Sequence, residues 1–106
     1  MTTKDKPEKL KNVLDKIKEC IAKGHYILTI HALSRQKERF ISLPETLHIL
    51  KTGHEEKRKT SFDKERNAWK YAIRGTTIRD KLDVRVVVAF DKDEMVIITV
   101  VNVGAL

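Results

Sequence analysis

The chain has 106 residues, of which 41% are hydrophobic and 35% charged, and its formal net charge is +7. This length fits one domain over residues 1–106, and the hydrophobic share excludes an intrinsically disordered chain. The longest apolar run, Met95 to Val101, is far too short to cross a bilayer, so we expect no membrane partner. The positive excess favours anionic partners: nucleic acid, an acidic protein or a membrane surface.

The cysteine count and the absence of known motifs indicate the compartment of the protein and the kinds of site it can carry. Cys20 is the only cysteine, and the Cys/His spacings of zinc sites are absent. The charged stretch Met1 to Lys11 lacks the apolar segment of a signal peptide. These features favour a reducing compartment, so we expect a cytoplasmic protein. Phosphate-loop, dinucleotide and metalloprotease motifs are also absent, and we predict neither a metal nor another cofactor.

The first half of the chain predicts three helices. Apolar residues at three- and four-residue spacing indicate a first helix between Pro7 and Gly24, which suit its first turn and its end. A second helix is predicted from Thr29, a suitable N-cap, to about Phe40. A third, short helix is predicted from Ser42 to Gly53, with Pro44 near its first turn.

After Gly53 the apolar pattern changes from helical to alternating, which predicts strands. The four predicted strands are Glu55 to Phe62, Ala68 to Ile78, Val84 to Phe90 and Met95 to Val103. Short polar turns join them, and short turns favour antiparallel pairing. Helices followed by strands indicate an α+β domain, with an N-terminal helix in 1–24 and the core of the domain in 26–103.

Three basic residues of the second helix form the first candidate site. His31, Arg35 and Arg39 are spaced by four residues, so they share one helix face. Arginines bind phosphate bidentately, and a histidine moves protons near neutral pH, which together suit a phosphodiester. The alternative is structural: the histidine is hydrogen-bonded at the junction of helix and sheet, and the arginines pair with nearby acids.

The predicted strands carry the second set of candidates. Lys57 and Lys59 on the first strand, with Lys70 and Arg74 on the second, are predicted to form a cationic face for RNA phosphates; the alternative is a solvated edge that prevents aggregation. Trp69 and Tyr71 share a face, which fits either buried core or base stacking and catalysis. Arg85, before a run of valines, indicates either a site or a salt bridge.

The segment Tyr26 to Arg35, with its Thr29-Ile30-His31-Ala32 element, and the following Glu38 to Ser42 resemble the family catalogued as domain of unknown function 4258. The match continues through Ile49–Gly53, Arg85–Ala89 and Val96–Val100, and it covers Tyr26 to Val103. The first predicted helix lies outside it. This family looks related to the RelE-like superfamily of toxin ribonucleases, which includes relatives of the BrnT and MqsR toxins.

The resemblance implies N-terminal helices packed on a four-stranded antiparallel sheet, metal-independent cleavage of RNA, and neutralisation by an antitoxin protein. The order of Lys57 or Lys59, Trp69 and Tyr71 also resembles a lysine, tryptophan and tyrosine order in the MqsR-type branch.

We therefore expect an endoribonuclease toxin of a toxin–antitoxin system that acts on RNA, free or on the ribosome, through attack of a ribose 2′-hydroxyl on the adjacent phosphate. His31 or Tyr71 would move protons, and Arg35, Arg39 and Arg85 would stabilise the developing charge. Two alternatives are a non-catalytic nucleic-acid- or protein-binding module with a basic surface, and a basic subunit that only scaffolds a partner.

Overall fold

A sheet with helices on one face organises the chain. The computed structural model describes residues 6–38 and 41–104. Within them the helices are α1 (Val13–Lys23), α2 (Ile30–Glu38) and α3 (Leu43–Thr52), and a short 3₁₀ helix spans Lys57–Lys59. The strands are β1 (Tyr26–Leu28), β2 (His54–Glu55), β3 (Ser61–Asp63), β4 (Ala68–Thr76), β5 (Asp83–Asp91) and β6 (Glu94–Asn102).

The sheet runs in the order β1-β6-β5-β4-β2, and β3 also pairs with β4. The strands β4, β5 and β6 are antiparallel, as predicted, while β1 pairs parallel to β6. Alternation sends every second residue of β4 and β5 toward the helices, where Ile73 lies opposite Val86. Buried residues of all three helices join the same core as these strand residues: Val13, Ile17, Ala32, Ile49 and Leu50. The chain is therefore an α+β domain.

The sheet face turned away from this core is named the open face here. It carries Arg74 and Arg85, which lie opposite each other on β4 and β5, and beside them Val87 and Val101. These four residues are only half-buried, in contrast to the fully buried valines on the helix side. The open face is thus partly exposed at these four positions.

The helix ends follow the signals in the sequence. Gly24 ends α1 with φ of 71°, a left-handed conformation that favours glycine. The hydroxyl of Thr29 accepts a hydrogen bond from the Ala32 N–H at 3.0 Å, and the hydroxyl of Ser42 accepts one from the Glu45 N–H at 3.3 Å. Gly53 follows α3.

In residues 6–38 and 41–104, no helix is long and apolar enough to cross a membrane.

The structure corrects the prediction at three places. The sheet has six strands in the described residues, not four, because β1 was missed and the predicted strand Glu55 to Phe62 is divided. In that stretch the N–H groups of Lys59 and Thr60 donate to the Glu56 carbonyl, so a 3₁₀ helix replaces the strand ladder. The first helix begins at Val13 rather than near Pro7.

Candidate functional site

Four charged residues on the open face form an arginine–carboxylate network: Glu56, Arg74, Asp83 and Arg85. Arg85 donates from Nε to Glu56 Oε1 at 2.6 Å and from Nη2 to Oε2 at 3.3 Å. Arg74 donates from Nη1 to Glu56 Oε2 at 2.9 Å. The other edge of Arg74 binds Asp83 through bonds of 2.7 and 2.6 Å. Two cations therefore share two carboxylates, and Glu56 is held by both arginines.

The network fixes the ionisation of its carboxylates. Hydrogen bonds from Arg85 are the main cause that lowers the pKa of Glu56, and hydrogen bonds from Arg74 do the same for the pKa of Asp83. The same pairing, with Asp83 first and Glu56 second, raises the pKa of Arg74. Like charges opposite each other on paired strands repel, so Arg74 and Arg85 need these carboxylates. The predicted salt bridge of Arg85 is present.

A second cluster, named the basic edge, lies where the 3₁₀ helix interrupts the edge of the sheet. Its members are exposed cations from the 3₁₀ helix and the N-terminal segment: Lys6, Lys9, Lys11, Lys57, Arg58 and Lys59. In the described part of the chain, no ion pair involves any of these six. Lys11 and Lys57 line one depression with Glu55, which places the two segments side by side. The basic edge thus brings exposed cations from two separate parts of the chain together.

Aromatic side chains border the basic edge. The indole Nε1 of Trp69 donates to the Pro7 carbonyl at 2.8 Å, which holds the N-terminal segment against β4. Lys6 Nζ lies 5.2 Å from the ring centre of Phe62 and 4.9 Å from that of Trp69, and Lys9 Nζ lies 5.3 Å from Trp69. Cations interleaved with aromatic rings are typical of surfaces that bind single-stranded nucleic acid.

Tyr71 lies on the helix side of the sheet, away from the arginine–carboxylate network. Its side chain is buried, 3% of the residue is exposed, and its hydroxyl accepts a hydrogen bond from the Leu10 N–H at 2.8 Å. Burial raises its pKa. Tyr71 pairs with Val88 and Arg74 pairs with Arg85, so alternation sends Tyr71 and Arg85 to opposite faces. The structure therefore does not bring Tyr71 and Arg85 together, and their joint role at one phosphate stays a prediction.

His31 and Arg35 lie on one flank of α2. The inward side of this helix carries the buried Ala32 and Gln36. Leu33 faces α3, where it lines a depression with Leu43 and its neighbours. Helical spacing therefore sends His31 and Arg35 to the flank away from α3.

The two flank residues differ in their partners. His31 is exposed, whereas Arg35 donates to Glu38 at 2.9 Å. Arg39 lies outside the described residues, so the predicted convergence of the three side chains stays a prediction.

The four predicted RNA-binding residues do not form one face. Lys57 and Lys59 lie in the 3₁₀ helix of the basic edge, because local hydrogen bonds replace the predicted strand there. Lys70 points to the open face, opposite Ser61. Arg74 is bound on both sides by Glu56 and Asp83, so carboxylates occupy the donors that a phosphate would use.

Sequence reasoning missed several residues of this region. The sequence patterns did not single out Glu56 or the N-terminal lysines Lys6, Lys9 and Lys11. A depression of about 520 Å³ beside Arg74 and Asp83 is lined by His48 and His54, to which no sequence motif pointed. The signal that was available is an arginine in each of two apolar strands, because a half-buried cation requires an acidic partner.

Among the described residues, no group of three or more His, Cys, Asp or Glu side chains could hold a metal ion.

Comparison with known proteins gives one match. The family described as a domain of unknown function (DUF4258) matches residues 28–102, which is more than half of the chain. No curated protein and no solved structure matches.

Proposed function

The chain belongs to the DUF4258 family, whose function is unknown, and we propose that it binds RNA along its basic edge. One observation carries the proposal: the six exposed cations of the basic edge have no ion-pair partner within the described residues, and two of them, Lys6 and Lys9, lie beside aromatic rings. Free cations release counterions when they contact phosphates, and this release drives binding.

Local geometry supports a flexible single strand as the ligand. The 3₁₀ helix presents Lys57, Arg58 and Lys59 in one tight turn, and the N-terminal segment before α1 adds Lys6, Lys9 and Lys11 without regular secondary structure. A single strand can follow this bent path, whereas a duplex presents a regular groove. Trp69, held by the Pro7 carbonyl, offers part of its ring at the same surface.

A double substitution tests the proposal. We expect Lys57→Ala with Lys59→Ala to weaken binding of a single-stranded RNA by roughly tenfold at physiological salt, because two phosphate contacts are lost. Lys18→Ala with Lys51→Ala is the matched control. Both lysines are exposed and lie outside the basic edge, on α1 and α3, and replacing them removes the same amount of positive charge. The measurement is affinity by fluorescence anisotropy. Equal losses in the two double variants would contradict a localised RNA site.

We also propose, as a second and separable function, that the bound RNA is cleaved. The observation that favours it is the exposed imidazole of His31 with Arg35 one turn later, on a flank of α2 that packing leaves free. His31 would take the proton of a ribose 2′-hydroxyl, and the oxygen would attack the adjacent phosphorus to form a 2′,3′-cyclic phosphate. The bond from phosphorus to the 5′-oxygen would break as that oxygen takes a proton from water. This is the toxin activity that the RelE-like resemblance implies, with an antitoxin as the inhibitor.

A further inference from the structure

We propose that Arg74 and Arg85 form a binding site for an RNA phosphate, and that the carboxylate of Glu56 occupies this site while RNA is absent. The inference rests on the proposed RNA binding and adds a second contact point for the strand, on the open face beside the basic edge. In this view Glu56 is an internal anion that competes with the ligand.

The geometry of the pair supports an anion site. Arg85 grips Glu56 with Nε and Nη2, the two parallel donors with which guanidinium groups also bind phosphate. Arg74 contributes Nη1 to the same carboxylate at 2.9 Å. Two arginines thus converge on one anion, although a single one would satisfy a lone carboxylate.

Solvent can reach the site. The side chains of Arg74 and Arg85 are 30% and 19% exposed, and that of Glu56 is 15% exposed. A depression of about 520 Å³ also lies on the Asp83 side of Arg74, next to the proposed site. A phosphate can therefore meet the guanidinium groups without unfolding of the sheet.

Only the side chain of Glu56 has to move. Its N–H donates to the Ala72 carbonyl at 2.7 Å, and its own carbonyl accepts from Lys59 and Thr60. The backbone is pinned to β4, but the side chain can rotate away toward solvent. Because Glu56 directly precedes Lys57 in the chain, the proposed phosphate site adjoins the basic edge.

Asp83 plays a different part from Glu56. It binds Arg74 and makes no bond to Arg85, and its side chain is 46% exposed. It can continue to hold Arg74 in place when a phosphate replaces Glu56. Asp83 therefore provides a matched control, since its removal changes the net charge equally and also frees part of Arg74.

The test uses the full chain and inorganic phosphate as the probe. We expect Glu56→Ala to bind phosphate at least about tenfold tighter than the wild type, because the competing internal anion is gone. Asp83→Ala should show little gain, and adding Arg85→Ala to Glu56→Ala should abolish the gain. The measurements are isothermal titration calorimetry and phosphorus NMR line broadening.

Two outcomes would overturn the proposal. One is equal phosphate affinity in Glu56→Ala and Asp83→Ala, which would mean that only net charge matters. The other is a Glu56→Ala chain that loses its fold and does not recover its melting temperature when phosphate is added, which would make the network purely structural. Neither measurement uses RNA or the basic edge, so failure here is distinguishable from failure of the proposed RNA binding.

Discussion

Substitutions of single residues test the proposed RNA cleavage separately from the proposed RNA binding. His31 is exposed and Arg35 half-buried, and neither belongs to the buried side of α2, so their removal should leave the fold intact. If the chain is a ribonuclease, we expect Arg35→Ala to lower single-turnover cleavage by about 10²–10³ while RNA affinity changes far less, because the interaction strengthens in the transition state. His31→Ala should behave in the same way.

Tyr71→Phe is the control for this series. The ring stays in the core and only the hydrogen bond from the Leu10 N–H is lost, which should cost about 1 kcal/mol of stability and leave cleavage unchanged. Equal losses of cleavage and affinity in Arg35→Ala would reduce this arginine to a positioning role.

Acid should weaken the ion pairs that Glu56 makes with Arg74 and Arg85 on the sheet. The folded pKa of Glu56 is lowered, so its contribution to stability is present above the ordinary carboxylate pKa of about 4 and is lost as pH falls below it. At pH 7 we expect Glu56→Gln to reduce the free energy of unfolding by about 1–3 kcal/mol. Urea unfolding at pH 7 and at pH 3 should show this gap closing, and parallel pH profiles would contradict the assignment.

At the scale of elements, the contact between α3 and β4 places Arg74. A Cβ at Gly53 would lie 2.3 Å from the carbonyl oxygen of Arg74 and 2.7 Å from that of Ile49. Since both atoms belong to the backbone, Gly53→Ala must separate helix and strand, and we expect a loss of about 2–3 kcal/mol. Thermal unfolding measures it.

Gly104→Ala is the control for the glycine prediction. Its Cβ would meet Asp83 Cβ at 3.3 Å, which a small shift accommodates. A Gly53→Ala chain as stable as Gly104→Ala would mean that the close approach of α3 to β4 does not constrain the fold.

Across the whole molecule, structural features set by residues close in sequence could be predicted, and those set by residues far apart in sequence could not. The helix ends at Ser42 and Gly53 and the two valine-rich terminal strands depend on residues close in sequence. They could therefore be predicted from the sequence. The strand β1 has three residues and depends on parallel pairing with β6, which no local pattern encodes. The bond from Arg85 to Glu56 spans 29 positions in the sequence, so the arginine–carboxylate network required the structure.

The central claim is that exposed cations of the basic edge bind RNA phosphates, and a salt titration tests it most directly. The affinity of the wild-type chain for a short single-stranded RNA is measured over a range of salt concentrations. We expect the logarithm of affinity to fall with the logarithm of salt at a slope of about −2 to −4, since each phosphate contact on a single strand contributes about −0.7. Absence of binding at low salt, or an affinity that does not change with salt, would contradict the account.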